Sequence, residues 1–155
     1  MCRLYEKFLL EYYRKEHPEL SANASQIAWQ LNNSENQLLP KMQTDIMLSQ
    51  GNNVLIIDAK YYSHMTQRQY GTNTLHSNNL YHIFTYVKNK EFELKDCEHT
   101  VSGMLLYAQT DEDVVPNNTY LMSGNQISVR TLNLNQEFSR IAQTLDDIIQ
   151  NSFNK

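Results

Sequence analysis

Two acidic residues and one lysine stand at a spacing in this chain that could bind a metal ion. Asp45 lies in one predicted β-strand, and Asp58 and Lys60 lie in the next. A two-residue turn at Gly51-Asn52 would join the strands as a hairpin. In that hairpin Asp45 lies opposite Asp58, with the two β-carbons about 5 Å apart. Facing carboxylates repel each other unless a cation lies between them, so the pattern predicts a metal site.

The predicted metal ion is Mg²⁺, which binds oxygen ligands such as two carboxylates and a backbone carbonyl and keeps several waters. A bound divalent ion lowers the pKa of water and offsets charge on a phosphoryl transition state. Lys60 shares a strand face with Asp58 and could orient that water. An ordinary hairpin with solvated acids is the alternative. The apolar run at 54–57 argues against it, because a buried charge without a partner is costly.

The acidic residues and the lysine match a nuclease motif. Asp45, twelve intervening residues and then Asp58-Ala59-Lys60 resemble the PD-(D/E)xK superfamily, with Thr44 where the motif has proline. The wider sequence is similar to the nuclease region of the McrC family, subunits of 5-methylcytosine-specific restriction enzymes. Four segments carry this similarity in the expected order, at 4–8, 39–46, 57–62 and 79–86.

The resemblance implies a role for each matched position. Asp45 and Asp58 would bind the metal ion together with the backbone carbonyl of Ala59, and Lys60 would be the catalytic lysine. Glu6 would be the additional acidic residue that many members of the superfamily place near the metal ion. The implied cofactor is Mg²⁺, for which Mn²⁺ can substitute.

Glu6 has two interpretations from its own surroundings. By helical periodicity it shares a face with Leu9, Leu10 and Tyr13, and a carboxylate among apolar neighbours indicates a functional role. Alternatively, Glu6 is a surface carboxylate paired with Lys7 or another helix charge, which would contribute little to stability. Both interpretations stay open at this point.

The predicted helix after the lysine departs from the family at one residue. Related nucleases often carry Gln-x-x-x-Tyr here, whereas this chain has His82 and Tyr86. Residues four apart on a helix face the same way, and the apolar stripe occupies the other side. We therefore expect both residues to support the active centre, and a polar face directed at water is the alternative. Histidine can bind a water or a phosphate, but its charge depends on pH.

The function implied by the resemblance is a Mg²⁺-dependent DNA endonuclease subunit of a modification-dependent restriction system. Its partner would be an McrB-like GTP-hydrolysing ring subunit, without which the nuclease would be weak or inactive. A non-catalytic assembly subunit that kept the nuclease fold is the alternative. A hydrolase of small phosphoesters is a third class, but the four glycines form no phosphate-binding loop.

Length and composition fit one modest domain, a PD-(D/E)xK nuclease-like unit covering 1–155. The resemblance to McrC implies that this unit is the C-terminal fragment of a longer protein. Cys2 and Cys97 are too few for a disulfide framework. No apolar run approaches the length of a membrane span. We therefore expect a cytoplasmic protein without membrane contact.

The net charge of −4 is unusual for a DNA-binding protein, but the charges are unevenly distributed. Residues 41–90 contain five basic side chains against Asp45 and Asp58, whereas residues 91–113 contain seven acidic side chains against Lys95. The surface near the site can therefore be mildly positive. This excess is too small for tight DNA binding, which also predicts a partner.

The residue pattern predicts an α/β (α+β) fold with a restriction-endonuclease-like core, in which helices flank a central mixed sheet. Ser77 is the expected N-cap of the second helix. His17, His64 and His76 are expected at the surface, and the Cys97–His99 cluster is expected to be a surface loop. The predicted elements are a helix at 2–17, strands at 26–31, 41–48 and 54–60, a polar loop at 63–76, a helix at 77–89, a strand at 101–109, an acidic loop at 110–118, a strand at 126–132 and a closing helix from 138.

Overall fold

The computed structural model describes residues 2–61, 66–69, 72–109 and 115–153. It shows a six-stranded mixed sheet flanked by three helices, which is the predicted class and is consistent with a restriction-endonuclease-like fold. The elements in chain order are α1 (Cys2–Glu16), β1 (Ser21–Asn23), β2 (Gln26–Ile27), β3 (Met42–Gln43), β4 (Ile46–Gln50), β5 (Asn53–Lys60), β6 (Thr66–Gln69), β7 (Thr72–Leu75), α2 (Ser77–Glu93), β8 (Thr100–Ala108), β9 (Asn118–Met122), β10 (Asn125–Leu132) and α3 (Phe138–Phe153).

The strand order in the sheet is β1-β4-β5-β8-β10-β9. The three central strands β5, β8 and β10 are parallel, β4 and β9 pair antiparallel with β5 and β10, and β1 pairs antiparallel with β4. The carboxyl ends of the parallel strands therefore meet at one edge of the sheet. In open α/β sheets this edge is the usual place for a ligand site.

The two faces of the sheet are covered by different helices, because successive strand side chains point to opposite sides. Helices α1 and α3 cover one face, and α2 covers the other. The face under α1 and α3 buries Ile46, Leu48, Leu55, Ile57, Met104 and Leu106 against helix residues such as Leu9, Tyr13 and Leu145. The face under α2 buries Met47, Val54, Ile56, Leu105, Ile127 and Val129 against Ile83 and Val87.

Helix α2 lies close to β8 because Gly103 has no side chain. A β-carbon at Gly103 would come within 2.7 Å of side-chain carbons of Ile83 and Val87. Real β-carbons do not tolerate so short a contact, so the glycine sets the depth at which the helix packs. The same helix carries His82 and Tyr86, so this packing also fixes their height above the sheet.

The hairpin between β4 and β5 has the predicted register. Ile46 pairs with Ile57, and the turn lies at Gly51-Asn52. Gly51 has a φ of 61°, a conformation that favours glycine in tight hairpin turns. The predicted first strand, 41–48, is however broken into β3 and β4, so the ladder ends at Ile46 and Asp45 lies just beyond it.

Several other boundaries differ from the prediction. The strand expected at 26–31 is only Gln26–Ile27, and the polar loop expected at 63–76 contains the hairpin of β6 and β7. Strands β1 and β9 were not predicted, because three residues give no pattern and β9 is exposed along most of its length. Helix α2 continues to Glu93, supported by i,i+3 ion pairs from Lys88 and Lys90. The remaining predicted helices and strands are present within one or two residues, and 110–114 of the acidic loop lies outside the described residues.

One prediction about the histidines and one about a helix cap were wrong. His17 is half-buried, and its ring nitrogens contact Asp146 at 2.7 Å and Glu19 at 3.0 Å. This cluster joins the end of α1 to α3, a contact between distant segments that no local pattern reveals. His76, and not Ser77, is the N-cap residue of α2, and its side chain makes no capping hydrogen bond.

The Cys97–His99 cluster is the surface loop that was expected, with Cys97 exposed. The side chain of His64 lies outside the described residues. Among the helices that the structure describes, none has the length and apolar character needed to cross a membrane.

Candidate active site

The site begins where the strand containing Asp45 is interrupted. Thr44 is buried, and its N–H and its hydroxyl both donate to the carbonyl of Ser25, at 3.0 and 2.7 Å. The Ser25 N–H donates in return to the Thr44 hydroxyl. Because Thr44 bonds to Ser25, it does not continue the ladder with β5.

This interruption changes the partners of Ala59. In a continued ladder Thr44 would pair with Ala59, but the Ala59 N–H instead donates to the Asp45 carboxylate at 2.9 Å. The N–H and C=O of a strand residue point to the same side, so the Ala59 carbonyl also faces Asp45. The Thr44 N–H, which would have donated to that carbonyl, is used by Ser25. The interruption thus presents a carboxylate and a backbone carbonyl side by side.

Asp58 and Lys60 complete the centre of the site at the end of β5. Asp58 is 7% exposed, which overturns the alternative of a solvated acid at this position. The Lys60 ammonium lies 3.2 Å from the Asp58 carboxylate, forming a largely buried ion pair. A buried carboxylate needs such a partner, because desolvation would otherwise make its charge costly.

Asp45 is held in its protonated form at neutral pH. Burial raises the pKa of Asp45 to about 8, and a hydrogen bond with Asp58 and the charge of Asp58 act in the same direction. The Ala59 N–H opposes this rise, and the charge of Glu6 adds to it. The two carboxyl groups therefore face each other, as the hairpin register predicted, and share a proton between them.

All of the predicted site residues line one polar cavity of about 210 Å³ at the carboxyl edge of the parallel strands. The structure thus brings together residues from α1, the β4–β5 hairpin and α2. The cavity is lined by Glu6, Gln43, Asp45, Asp58, Ala59, Lys60, Tyr61, His82 and Tyr86.

Glu6 faces the site from α1, on the same helix as the buried Leu9 and Tyr13. Its charge reaches Asp45, since it contributes to the raised pKa of that residue. Even so, no three His, Cys, Asp or Glu side chains within the described part of the chain converge closely enough to hold a metal ion. Glu6 is therefore a neighbour of the two aspartates and does not complete a cluster of three acids with them.

His82 and Tyr86 face the cavity from α2 on the other side of the sheet. Their rings are parallel within 4°, with centroids 6.2 Å apart, as expected for residues one helical turn apart. Burial raises the pKa of the Tyr86 hydroxyl, and the negative charges of Asp58 and Asp45 raise it further. Tyr86 is therefore a neutral hydrogen-bond donor at the cavity wall.

Sequence reasoning missed Gln43 and Tyr61 as residues of this cavity. Gln43 could have been found, because it alternates with Asp45 on the same predicted strand face. Tyr61 follows Lys60 directly and packs edge-on against Tyr5, with ring centroids 6.1 Å apart. That contact depends on the position of α1, so no local pattern signals it.

Comparison with known proteins shows the family to which this chain belongs. The model of the McrBC 5-methylcytosine restriction system component family matches residues 1–108, a range that contains every predicted site residue. A relative, the type IV methyl-directed restriction enzyme EcoKMcrBC of Escherichia coli strain K12, is 36% identical over 151 residues. The chain belongs to the McrBC family. The resemblance to McrC that the sequence motifs predicted is confirmed.

The extent of the match differs between the two proteins. The alignment covers 96% of this chain but 42% of the E. coli protein, so the chain spans less than half the length of that relative. The family model ends at residue 108, at the end of β8, and strands β9 and β10 and helix α3 lie beyond it.

The donor set of the McrBC-family site fits a hard divalent cation. Two carboxylates and a backbone carbonyl lie together, and oxygen donors of this kind are those that Mg²⁺ binds while it keeps several waters. The shared proton between Asp45 and Asp58 marks the place where a positive charge would relieve repulsion. Two acidic ligands suffice for Mg²⁺, so the lack of a three-acid cluster does not contradict the fit.

The raised pKa of Asp45 predicts that stability falls as the pH rises. The unfolded pKa is about 3.9 and the folded value is about 8, so between these values the folded state binds more protons. In EDTA the free energy of unfolding should therefore decrease from about pH 4 to about pH 8. A loss of at least about 1 kcal/mol would lower the Tm by about 2–4 °C for a domain of this size.

Thermal melts of the wild-type protein and Asp45→Asn across this range measure the effect. Asp45→Asn should not show this decrease in Tm between about pH 4 and pH 8. Mg²⁺ should raise the wild-type Tm more near pH 8 than near pH 5. His17, whose pKa is lowered by burial but raised overall by its bonds to Asp146 and Glu19, also favours acidic pH. Because the wild-type protein and Asp45→Asn both contain His17, its contribution cancels when their pH dependences are compared. If the Tm of the wild type and that of Asp45→Asn change equally with pH, Asp45 and Asp58 do not share a proton.

Proposed function

We propose that this chain is the Mg²⁺-dependent DNA endonuclease part of a modification-dependent restriction enzyme. The observation that carries the proposal is the arrangement of Asp45, Asp58 and Lys60 with the Ala59 carbonyl at one edge of the sheet. Membership of the McrBC family supports the proposal, because that family is described as a component of a 5-methylcytosine restriction system. The proposed substrate is therefore DNA that carries modified cytosine.

The proposed roles follow from the contacts. Asp45, Asp58 and the Ala59 carbonyl would hold Mg²⁺, or Mn²⁺ in its place, and the ion would supply an acidified water and a positive charge beside the phosphoryl group. Lys60 lies on the same strand face as Asp58 and can donate to the attacking water or to a phosphate oxygen. Glu6 adds negative charge on the α1 side, which favours retention of a cation.

His82 and Tyr86 would position the phosphate from the opposite wall of the cavity. Tyr86 keeps its proton and can donate a hydrogen bond to a phosphate oxygen. His82 is exposed and lies within the same cavity, so it can contact a bound phosphate or the attacking water. In this role the side chain of His82 replaces the amide that related nucleases often carry.

Substitution of His82 tests this role. If His82 contacts the phosphate or the attacking water, the cleavage rate should depend on the hydrogen bond that its side chain makes there. His82→Gln should keep or raise activity, because glutamine provides a donor and an acceptor at all pH values. His82→Ala should lower the rate. The measurement is the pH profile of cleavage for all three proteins, and equal losses in Gln and Ala variants would show histidine-specific chemistry instead.

We also propose that an McrB-like GTP-hydrolysing ring is the partner that recognises DNA and moves along it. The chain has four glycines and no glycine-rich phosphate-binding motif, which favours a separate subunit for nucleotide hydrolysis. The family description names a multi-component system, which supports a division of labour.

Cleavage of a methylated plasmid tests the proposed function. The protein, its McrB-like partner, GTP and Mg²⁺ should together linearise the plasmid, and EDTA should prevent it. An unmethylated plasmid is the matched control for the modification. If neither Mg²⁺ nor Mn²⁺ supports cleavage in the complete mixture, the alternative of a non-catalytic assembly subunit replaces the proposal.

A further inference from the structure

A second cavity of about 520 Å³ adjoins the candidate active site and differs from it in character. It lies between the first halves of α1 and α3, and its lining is almost wholly apolar. We call it the aromatic groove, because four of its residues carry aromatic rings. Its principal residues are Leu4, Tyr5, Phe8, Tyr61, Phe138 and Ile141.

The aromatic groove is continuous with the candidate active site through one residue. Tyr61 lines both cavities, and it follows Lys60 directly in the chain. Tyr5 packs edge-on against Tyr61 and anchors its hydroxyl to the Leu106 carbonyl at 3.2 Å. A phosphate held near Lys60 would therefore have its neighbouring nucleotide at the mouth of the groove.

The side chains of the groove are exposed to an extent that folding does not require. Leu4 is 65% exposed and Phe138 is 59% exposed, although each lies in the first turn of a helix that buries other apolar residues, such as Leu9 and Leu145. The Phe138 ring lies edge-on to those of Phe8 and Tyr12, with centroids 6.4 and 6.2 Å away. The rings are therefore held in place while part of their surface stays open. Exposed, clustered apolar surface of this kind marks a binding site.

The charges beside the groove favour a nucleic acid over an apolar protein segment. Arg3, Lys7 and Arg140 are exposed and adjoin groove residues in the chain on α1 and α3, against the exposed acid Glu137 and the half-buried acid Glu6. Basic side chains around aromatic rings are the pattern that binds single strands, with phosphates near the cations and bases stacked on the rings. Because an almost wholly apolar lining offers few polar groups to distinguish the bases by hydrogen bonds, the groove would accept any base.

We propose that the aromatic groove binds unstacked bases of the DNA strand next to the phosphate in the active site. This inference rests on the proposed nuclease function, and it adds that the strand is locally opened at the site of cleavage. Opening costs a few kcal/mol per base in a duplex, and stacking on aromatic side chains compensates for it.

Fluorescence anisotropy of the 155-residue chain with a labelled thymidine oligonucleotide tests the proposal, in EDTA and at about 50 mM salt. The wild-type chain should bind the single strand more tightly than a duplex of equal length. Phe138→Leu keeps an apolar side chain but removes the ring, and it should weaken single-strand binding by about 5- to 100-fold. Phe138→Tyr should bind like the wild type. Leu121→Ala, at a side chain that is 79% exposed on β9, is the control and should change nothing.

A second readout detects stacking itself. The fluorescence of 2-aminopurine in the strand should be quenched by the wild type and by Phe138→Tyr, but not by Phe138→Leu. If Phe138→Leu fails to fold in a thermal melt, Leu4→Glu tests the same groove by repelling the strand.

The proposal is overturned if Phe138→Leu binds and quenches like the wild type, or if single strand and duplex bind equally. It is also overturned if groove substitutions disturb only binding to the McrB-like partner, which would make the groove a protein-docking site. Binding in EDTA requires no catalysis. The two proposals can therefore fail separately. If Asp58→Ala cleaves DNA fully, the proposed function is rejected. If Phe138→Leu nevertheless loses single-strand binding, the assignment of the groove still stands.

Discussion

Asp58→Ala is expected to reduce DNA cleavage by more than about a hundredfold without unfolding the protein. Loss of groups that merely support metal ligands costs about 10- to 100-fold, and Asp58 would be a ligand itself. Its removal also takes away the charge that pairs with Lys60 at 3.2 Å, so the lysine would lose its orientation. The proton on Asp45 would lose its acceptor at the same time.

The effect on stability should be small because two changes oppose each other. Asp58→Ala leaves the Lys60 ammonium without this partner but also removes a buried carboxylate whose charge opposes the ionisation of Asp45. Thermal melts should therefore show a Tm within a few degrees of the wild type, and the metal-free protein can even gain stability. Asp96→Ala, which removes an exposed acid from the turn after α2, is the matched control and should cleave normally. Cleavage at the wild-type rate by Asp58→Ala under saturating Mg²⁺ would show that the site is assigned wrongly.

The second large effect is expected from removing the partner. The isolated chain should bind duplex DNA with a dissociation constant in the non-specific range, about 10⁻⁴ to 10⁻⁶ M at physiological salt. The structure strengthens this expectation, because three of the five basic side chains at 41–90 already pair with acids. Lys60 pairs with Asp58, Lys88 with Glu91, and Lys90 with Glu93. Few cations of this segment are left to neutralise duplex phosphates, so cleavage by the chain alone should be slow or undetectable.

Anisotropy titrations with methylated and unmethylated duplexes, with and without the McrB-like partner and GTP, measure this dependence. The partner should restore tight binding to methylated DNA, and the isolated chain should not distinguish the two duplexes. Nanomolar, sequence-selective binding by the isolated chain would refute the division of labour. DNA recognition would then reside in this chain itself.

The centre of the site could be predicted from the sequence because its geometry is local. Gly51-Asn52 fixes the turn, and alternation along the two strands fixes the register, so Asp45 and Asp58 must face each other. The position of Lys60 on the same strand face as Asp58 follows from the same alternation. The family motifs then connected this hairpin to Glu6, His82 and Tyr86, which the structure places around the same cavity.

One detail of the α2 face was not predicted. Asn79 lies one turn before His82 and Tyr86 in the same helix, but it is buried and donates to the Tyr107 hydroxyl at 3.0 Å. Its position in the first turn of the helix brings it against β8, where a buried hydroxyl accepts its hydrogen bond. A helical wheel gives the direction of a side chain, but it does not show which side the sheet occupies at each turn.

The sequence by itself determined the α/β class, the hairpin register and the pairing of two carboxylates, since turn chemistry and strand alternation act over a few residues. The tertiary structure decided which backbone groups stand beside those carboxylates. Ser25 reaches Thr44 across 19 positions and ends the ladder, and only then does the Ala59 carbonyl face Asp45. Tyr61 reaches both cavities only because α1 packs against it through Tyr5. These contacts join segments whose separation is set by the packing of helices on the sheet, and such packing depends on the whole core.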